Sequence, residues 1–303
     1  MPECYRRWVP PFPVDIPAVL APLRRGRGDP CLRLDDGGHA WLTANTADGP
    51  GTLVLRARRD GAVEVKAWGA GARALLEGVP ALLGADDDDS GFVAHHDAVA
   101  EARRRSPLLR LGATGRVWDV LVPSVLEQKV TGYEARRSWR ELCRRFGEPA
   151  PGPAPAGMRV PPTPAAIRSI VDWNWHRSGV DLTRRTTLIA AARVAERLER
   201  AVELRGVPGR EWLRQVRGIG VWTSAEIAQR AWGDPDAVSF GDFHVPAVVG
   251  WALVGEPLDD EGMHAVLAPY APHRHRAVRY LETAGHTRPR FGPRHPVRDY
   301  RAM

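Results

Sequence analysis

A short stretch with two glycines decides the fold of this chain. Residues 213–225 read Leu-Arg-Gln-Val-Arg-Gly-Ile-Gly-Val-Trp-Thr-Ser-Ala, which places Gly218 and Gly220 on either side of one apolar residue. Glycine takes backbone angles that other residues avoid, so we expect two short helices to meet here in a tight hairpin. The second helix would begin with unpaired backbone N–H groups at the positive end of its dipole, and such a helix start binds anions.

An isolated carboxylate follows the hairpin. Residues 239–244 read Ser-Phe-Gly-Asp-Phe-His, with Asp242 as the acid. A hairpin of this kind can hold a nucleic-acid phosphate without any charged side chain, and a carboxylate close to that phosphate is electrostatically unfavourable, which indicates chemistry. Aspartate at a helix start is also a common N-cap, so we expect Asp242 to serve both purposes. Together the two features predict an enzyme that acts on DNA.

The composition is that of a globular protein with an affinity for polyanions. The 303 residues can form two domains, 44% of them are hydrophobic, and the formal net charge is +7. A basic balance favours nucleic acid but proves only non-specific attraction. No apolar run approaches the roughly 20 residues that span a bilayer, and the first residues do not resemble a secretion signal. We therefore expect a cytoplasmic protein without a membrane partner.

The candidate metal ligands do not form a recognisable site. Cys4, Cys31 and Cys143 are far apart and odd in number, which predicts neither a disulfide framework nor metal binding. Since no cysteine follows residue 143, a C-terminal four-cysteine iron–sulfur cluster is excluded. The acidic run 86–89 and the histidines at 95 and 96 have no partner at a fixed spacing, so we expect a solvated acidic loop between domains. The sequence predicts no cofactor.

The pattern of apolar residues divides the chain into three parts. Residues 1–105 have strand character, with two helices predicted over 15–23 and 70–83, which indicates a small α+β domain with an antiparallel sheet. Residues 106–285 have helical periodicity. The proline-rich segment 148–164 is expected to be an exposed connection inside this helical domain. The basic residues 286–303 are expected to form an extended tail.

The full glycine pattern, with its apolar flanks and Thr223, resembles the helix-hairpin-helix motif. With Asp242 included, the chain resembles the helix-hairpin-helix (HhH-GPD) DNA glycosylase superfamily, and within it the bacterial 3-methyladenine DNA glycosylase II (AlkA-like) subfamily. Matching stretches also occur at 108–112, 125–131 and 160–164. The resemblance implies a mostly α protein with a small N-terminal α+β domain like half of the TATA-binding protein, followed by an all-α helix-hairpin-helix glycosylase domain. It also implies a bacterial, nucleoid-associated monomer whose partner is double-stranded DNA.

The resemblance implies a mechanism as well. Superfamily members that also cut the strand use a lysine in the second hairpin helix, and the matching position here is Trp222. Because Lys66 and Lys129 are the only lysines, a monofunctional enzyme is expected. Asp242 would be the catalytic residue, stabilising positive charge at the sugar C1′ in an oxocarbenium-like transition state.

The expected substrate is an alkylated purine of the 3-methyladenine or 7-methylguanine type, flipped out of the duplex. A cationic base can stack on an aromatic ring, and Trp222 and Phe243 match pocket positions, although both could instead be core aromatics. Glu226 and His273 replace aromatic residues of the subfamily, so the expected pocket is more polar, and Glu226 could alternatively pair with an arginine. Trp175 could rebuild the missing aromatic wall, or lie in the core.

The remaining candidate residues would contact DNA. Gly218, Gly220, Thr223 and His244 belong to the hairpin and the loop after Asp242, and the hairpin backbone could also hold a monovalent cation. Leu111, or its neighbour Leu109, is a candidate wedge for the gap left by a flipped base. Gln128 could contact the opposite strand. Phosphate contacts are expected from the arginines of 274–276.

Three alternatives stay open at this point. The altered pocket would suit a glycosylase for deaminated or oxidised bases. A protein with a degenerate site could bind lesions without cutting them, although the presence of Asp242 argues against that. A purely structural hairpin that binds DNA would have no requirement for Asp242.

Overall fold

The structure, a computed structural model, describes residues 3–287 and residue 299. Most of the predicted tail therefore lies outside the described residues. The N-terminal part is an antiparallel sheet in the order β1-β5-β4-β3-β2. Its strands β1 to β5 are Glu3–Trp8, Leu32–Leu34, His39–Thr46, Gly49–Ala57 and Val63–Gly69.

Three short helices accompany the sheet, namely α1 (Ile16–Leu20), α2 (Ala72–Glu77) and α3 (Val79–Leu82). Asp15 caps α1 by accepting the N–H of Ala18. Side chains from the helices and from one face of the sheet form a common apolar core. The prediction of a small α+β domain is confirmed, but strand β1, which pairs with β5 at the edge, was not predicted.

The rest of the described chain is helical. In order, helices α4 to α16 are Asp97–Arg105, Trp118–Leu126, Gly132–Phe146, Pro164–Ser169, Asp172–Arg177, Leu182–Ala192, Ala195–Glu199, Ala201–Leu204, Gly206–Arg214, Val221–Ala231, Val245–Leu253, Asp260–Leu267 and Arg274–Thr283. The predicted mostly α architecture is confirmed. None of the helices in residues 3–287 has both the length and the apolar character that crossing a membrane requires.

Helix α4 belongs with the C-terminal helices. Its buried residues Val99 and Ala102 share an apolar cluster with Val249 of α14 and Ala277 of α16. The change in packing therefore comes before α4 and not at residue 105, where the strand pattern of the sequence had placed it.

The acidic run that precedes α4 is not a solvated loop throughout. Asp87 is almost fully buried, where its carboxylate pairs with the guanidinium of Arg276 and accepts the backbone N–H of Leu111 at 3.0 Å. A buried charge is stable only when it is paired and hydrogen bonded. Asp87 therefore fastens α16 to this segment, and the expectation of a solvated loop is wrong for this residue.

The proline-rich segment joins the two parts of the chain. Its carbonyls at Pro161 and Pro162 accept hydrogen bonds from Asn45 Nδ2 at 2.8 Å and Trp118 Nε1 at 2.9 Å. Both prolines are buried. The segment therefore packs between the sheet and the helices, in contrast to the exposed connection expected from composition.

Candidate active site

A large cleft runs between the hairpin, the α5–α6 connection, α16 and the segment after α1. Its volume is about 2400 Å³. Most of the candidate residues line it: Leu111, Gln128, Gly218, Gly220, Trp222, Thr223, Glu226, Asp242, Phe243 and His244. The structure thus brings together residues that are more than one hundred positions apart in the chain.

The predicted hairpin joins α12 to α13, and its two glycines have different roles. Gly218 has φ +93°, and a Cβ added there would lie 2.0 Å from Thr187 Oγ1. Gly220 has φ −93° and ψ −168°, an extended backbone that any residue can adopt, and a Cβ there would meet open space. Only Gly218 is therefore required by backbone conformation and close packing, which corrects the expectation for Gly220.

The start of α13 presents unpaired backbone donors. Within the described residues, the N–H groups of Gly220, Val221 and Trp222 have no hydrogen-bond partner, whereas the N–H of Ser224 already donates to the carbonyl of Gly220. The open space beside Gly220 leaves room for an anion to approach them. This geometry has the properties of an anion site at a helix N-terminus.

Asp242 is held rigidly by three donors. Its Oδ1 accepts the backbone N–H groups of His244 at 2.6 Å and Val245 at 3.0 Å, which caps the start of α14. Its Oδ2 accepts the indole Nε1–H of Trp222 at 2.9 Å. A carboxylate has about four lone-pair positions, so these bonds orient Asp242 and leave capacity to act on a group in the cleft.

The aromatic candidates beside Asp242 lie in the cleft and not in the core. Trp222 is half-buried, with its indole edge turned to the carboxylate. Phe243 is 72% exposed and its ring meets that of His244 edge-on at 5.0 Å. One ring is thus fixed against Asp242 and the other two lie at the surface.

Glu226 is engaged by other side chains. Its carboxylate pairs with Arg230 at 2.8 Å, one helical turn along α13, and accepts the hydroxyl of Ser239. Gln229 bridges to the same group, since its Nε2 donates to Ser239 Oγ at 2.8 Å. The arginine-paired alternative for Glu226 is the one that the structure contains, in a residue that still lines the cleft.

Gln128 and Thr223 bond each other. Gln128 Nε2 donates to the Gly218 carbonyl at 2.9 Å and to Thr223 Oγ1 at 2.8 Å, and Thr223 is buried. Their polar groups therefore brace the hairpin, in contrast to the DNA contacts expected of these side chains.

The same bonds bear on the expected monovalent cation. The carbonyl of Gly218 is taken by Gln128, and that of Val216 accepts the N–H of Ile219 at 3.0 Å. The hairpin carbonyls with protein partners do not form a free ligand set, and we derive no role for a cation. In the part of the chain that the structure describes, no group of three His, Cys, Asp or Glu side chains could hold a metal ion.

Three predicted site residues are not available to a ligand as expected. Trp175 is 1% exposed in the helical core, where its Nε1 donates to the Ile170 carbonyl, so its predicted place in the pocket is wrong. His273 does not line the cleft and instead packs edge-on against Phe92. Leu111 is buried and cannot act as an exposed wedge.

The arginines at the start of α16 are also used internally. Arg274 Nε donates to Asp236 at 2.8 Å, and the fully buried Arg276 pairs with Asp87. Both guanidinium groups are taken by carboxylates, so the expected phosphate contacts of these arginines are wrong.

Another residue of α16 takes the place that His273 was expected to fill. His275 lines the cleft together with three residues on the same helix face, Val278, Arg279 and Glu282. Burial lowers the pKa of His275 well below its usual value, with repulsion from Arg279, Arg230 and Arg276 adding to the effect. The spacing of these residues is a helical signal that could have been found in the sequence, had the helix start been placed at residue 274.

Two further cleft residues lie on the α5–α6 connection. Lys129, at φ +53°, and Tyr133 are both exposed and line the cleft. One of the two lysines of the chain is therefore a neighbour of the site, which the argument from lysine scarcity had not anticipated.

Comparison with known proteins gives similarity in fold and not in sequence. No protein-family model and no curated protein matches the sequence. Among solved structures, the chain is similar to a 3-methyladenine DNA glycosylase from Archaeoglobus fulgidus, with a TM-score of 0.76, 15% identity, and coverage of 91% of this chain and 96% of that one.

Two other solved structures have the same architecture. MBOgg1 in complex with a low-affinity DNA ligand has a TM-score of 0.71 at 12% identity, covering 93% of this chain and 95% of that one. The 8-oxoguanine glycosylase/lyase of Clostridium acetobutylicum, in complex with DNA, has a TM-score of 0.70 at 10% identity, covering 89% and 91%. The chain thus has the fold of the helix-hairpin-helix DNA glycosylases.

Proposed function

We propose that this protein is a DNA glycosylase that hydrolyses the N-glycosidic bond of a damaged base flipped out of double-stranded DNA. The observation that carries the proposal is the position of Asp242, fixed by three donors in a cleft beside a helix start with free N–H groups. A duplex phosphate on the hairpin would place the neighbouring sugar near this carboxylate. The flipped base would then occupy the cleft.

Asp242 would act on the sugar. Cleavage of the N-glycosidic bond develops positive charge at C1′, and a fixed carboxylate stabilises that charge without reorganising during the reaction. The same group could orient the attacking water. The hydrogen bonds from Trp222, His244 and Val245 keep the carboxylate in one orientation and so favour its ionised form.

We propose further that the enzyme is monofunctional. The amine that a strand-cutting reaction needs is absent from the second hairpin helix, where Trp222 stands and donates its N–H to Asp242. Lys129 lines the cleft from the opposite connection, on the residue after Gln128. The proposal therefore rests on the replacement by tryptophan, and reduction with borohydride tests it, since an amine nucleophile would give a trapped covalent adduct.

Alkylated purines are the first candidate substrate. A purine that carries an extra alkyl group is cationic and leaves readily, so it needs little acid assistance from the enzyme. Trp222 and the exposed Phe243 offer aromatic faces in the cleft. The similarity in fold to a 3-methyladenine DNA glycosylase supports this candidate.

Deaminated or oxidised bases are the second candidate. The cleft contains Glu226, Gln229, Ser239 and His275, which makes it more polar than an aromatic cage. Because the Glu226 carboxylate is paired with Arg230, it is not free to attract a cationic base. The similarity to an 8-oxoguanine glycosylase/lyase supports this candidate.

The test is release of free base from DNA. The protein would be incubated with duplexes that contain single 7-methylguanine, hypoxanthine or 8-oxoguanine residues, and with methylated DNA as a source of 3-methyladenine, and the released bases would be separated by chromatography. We expect release of at least one damaged base without strand cleavage. Tight binding of the lesions without any release would contradict the proposal and indicate a lesion-binding protein.

A further inference from the structure

His275 is a buried polar side chain without a protein partner. It lies one residue after the start of α16, is 6% exposed, and lines the cleft. Neither ring nitrogen hydrogen-bonds to any of the residues that the structure describes. A polar group in this condition is costly unless a ligand or water completes its hydrogen bonds.

The polar side chains on the opposite wall of the cleft differ from His275 in this respect. Ser239 donates to Glu226, Gln229 donates to Ser239 and to the Ala237 carbonyl, and Arg230 pairs with Glu226. These groups satisfy one another and hold their conformation. His275 is left with hydrogen-bonding capacity that faces the cleft and no residue of this network.

The charge state of His275 defines what it can bind. Its burial, with the positive charges of Arg230, Arg276 and Arg279 nearby, keeps the imidazole neutral at pH 7. A neutral imidazole has one N–H donor and one acceptor nitrogen. The edge of an uncharged purine with a carbonyl next to a ring N–H offers the complementary acceptor and donor.

We propose that His275 is a specificity-determining residue that hydrogen-bonds the edge of a flipped-out, uncharged damaged purine. The proposal rests on the glycosylase function proposed above, and it selects the deaminated or oxidised class. A cationic alkylated purine is disfavoured at this position, because the three arginines around His275 repel a positive charge and Glu226 is already paired.

The test compares three lesions in one set of variants. Single-turnover excision rates would be measured on otherwise identical duplexes that contain hypoxanthine, 8-oxoguanine or 7-methylguanine. His275→Phe keeps a ring of similar size but removes both nitrogens, and His275→Gln keeps a donor and an acceptor. His273→Phe is the matched control, since His273 is a similarly buried histidine of the same turn that does not line the cleft.

The expected result is selective for the lesion. His275→Phe should lower the excision rate of the uncharged base by about tenfold or more, as for the loss of a buried hydrogen bond, with partial recovery in His275→Gln. The rate for 7-methylguanine, and the affinity for a duplex with an abasic-site analogue, should change by less than about threefold. Retained affinity also reports that the variants are folded.

Several outcomes would overturn the inference. Equal losses on all three lesions would mean a structural role, and an unchanged rate on the uncharged bases in both variants would mean no contact. A wild-type enzyme that excises only 7-methylguanine would overturn the inference but leave the glycosylase function intact. Failure of the wild type to release any of the three bases, with DNA binding retained, would overturn the proposed function and the inference together.

Discussion

The two walls of the cleft differ in how their polar groups are bonded. The hairpin wall, residues 218–230 with Asp242, is internally bonded: Gln128 braces its turn, Trp222 holds Asp242, and Arg230 pairs with Glu226. The α16 wall, made of His275, Val278, Arg279 and Glu282, contains a histidine without a partner. A site needs a rigid group for its reaction and a free group for recognition. We infer that the hairpin wall performs the reaction and the α16 wall selects the base.

The largest effect on stability is expected from Gly218→Ala. The positive φ costs a side chain about 1–2 kcal/mol, and the Cβ would lie 2.0 Å from Thr187 Oγ1, which adds about 1–3 kcal/mol of overpacking. The free energy of unfolding, measured by chemical denaturation, should therefore fall by about 2–5 kcal/mol. A variant as stable as the wild type would show that the hairpin wall is less rigid than its contacts indicate.

Gly220→Ala is the control for this substitution. Its backbone is extended and its Cβ would point into open space, so stability should change by less than about 1 kcal/mol. Since the added methyl group lies beside the free N–H groups, DNA affinity should fall while the fold is kept. An unchanged affinity would argue against a phosphate at this helix start.

The second prediction concerns the ion pair on the hairpin wall. In Glu226→Gln the charge opposite Arg230 is lost from a site where both side chains are 12% exposed. Breaking a fully buried pair costs about 3–5 kcal/mol, and because glutamine can still accept hydrogen bonds, we expect a loss of about 1–3 kcal/mol in the free energy of unfolding. Thermal and chemical denaturation measure it.

An exposed pair of the same spacing serves as the comparison. Arg73 and Glu77 are also one helical turn apart, with side chains 85% and 65% exposed. Glu77→Gln should leave the stability unchanged within error, since exposed pairs contribute little. Equal effects at the two positions would mean that burial does not strengthen the pair on the hairpin wall.

The third prediction separates the two walls by their kinetics. Trp222→Phe keeps an aromatic ring but removes the N–H donor to Asp242 Oδ2. The excision rate should fall by about tenfold for every lesion, because the donor orients the group that acts on the sugar common to them all. A lesion-selective loss, of the kind expected for His275→Phe, would show that Trp222 reads the base instead.

The hairpin wall could be predicted from sequence, and most of the α16 wall could not. Gly218 and Asp242 follow a local pattern whose meaning depends on backbone conformation and helix capping, which are short-range effects. His275 faces the cleft only because α16 begins at Arg274 and Arg276 is drawn to Asp87, a contact made across most of the chain. A shift of two residues in that helix face led the sequence interpretation to His273.

The packing of single residues was the other limit. Trp175 and Leu111 have apolar side chains that suit a pocket or a wedge, yet such side chains are more often buried, as both are here. The acidic run looked solvated because a sequence does not show that Asp87 has a buried arginine as its partner. Edge strand β1 was missed because its partner β5 is distant in the chain.

The smallest effect is expected from Lys129→Ala. Lys129 is exposed and belongs to neither wall, so its loss should leave stability and the rate of base release within about twofold of the wild type. Borohydride should trap no adduct with either protein. An adduct that forms with the wild type and disappears in Lys129→Ala would identify this amine as a nucleophile and end the monofunctional proposal.

The assignment of the reaction to the hairpin wall is tested most directly by Asp242→Asn. The amide keeps the size of the side chain and an oxygen for the bonds at the start of α14, but it removes the negative charge beside the sugar. We predict a fall in the single-turnover excision rate on the order of a thousandfold for every lesion, with affinity for an abasic-site duplex within about threefold of the wild type. An excision rate within tenfold of the wild type would contradict the account.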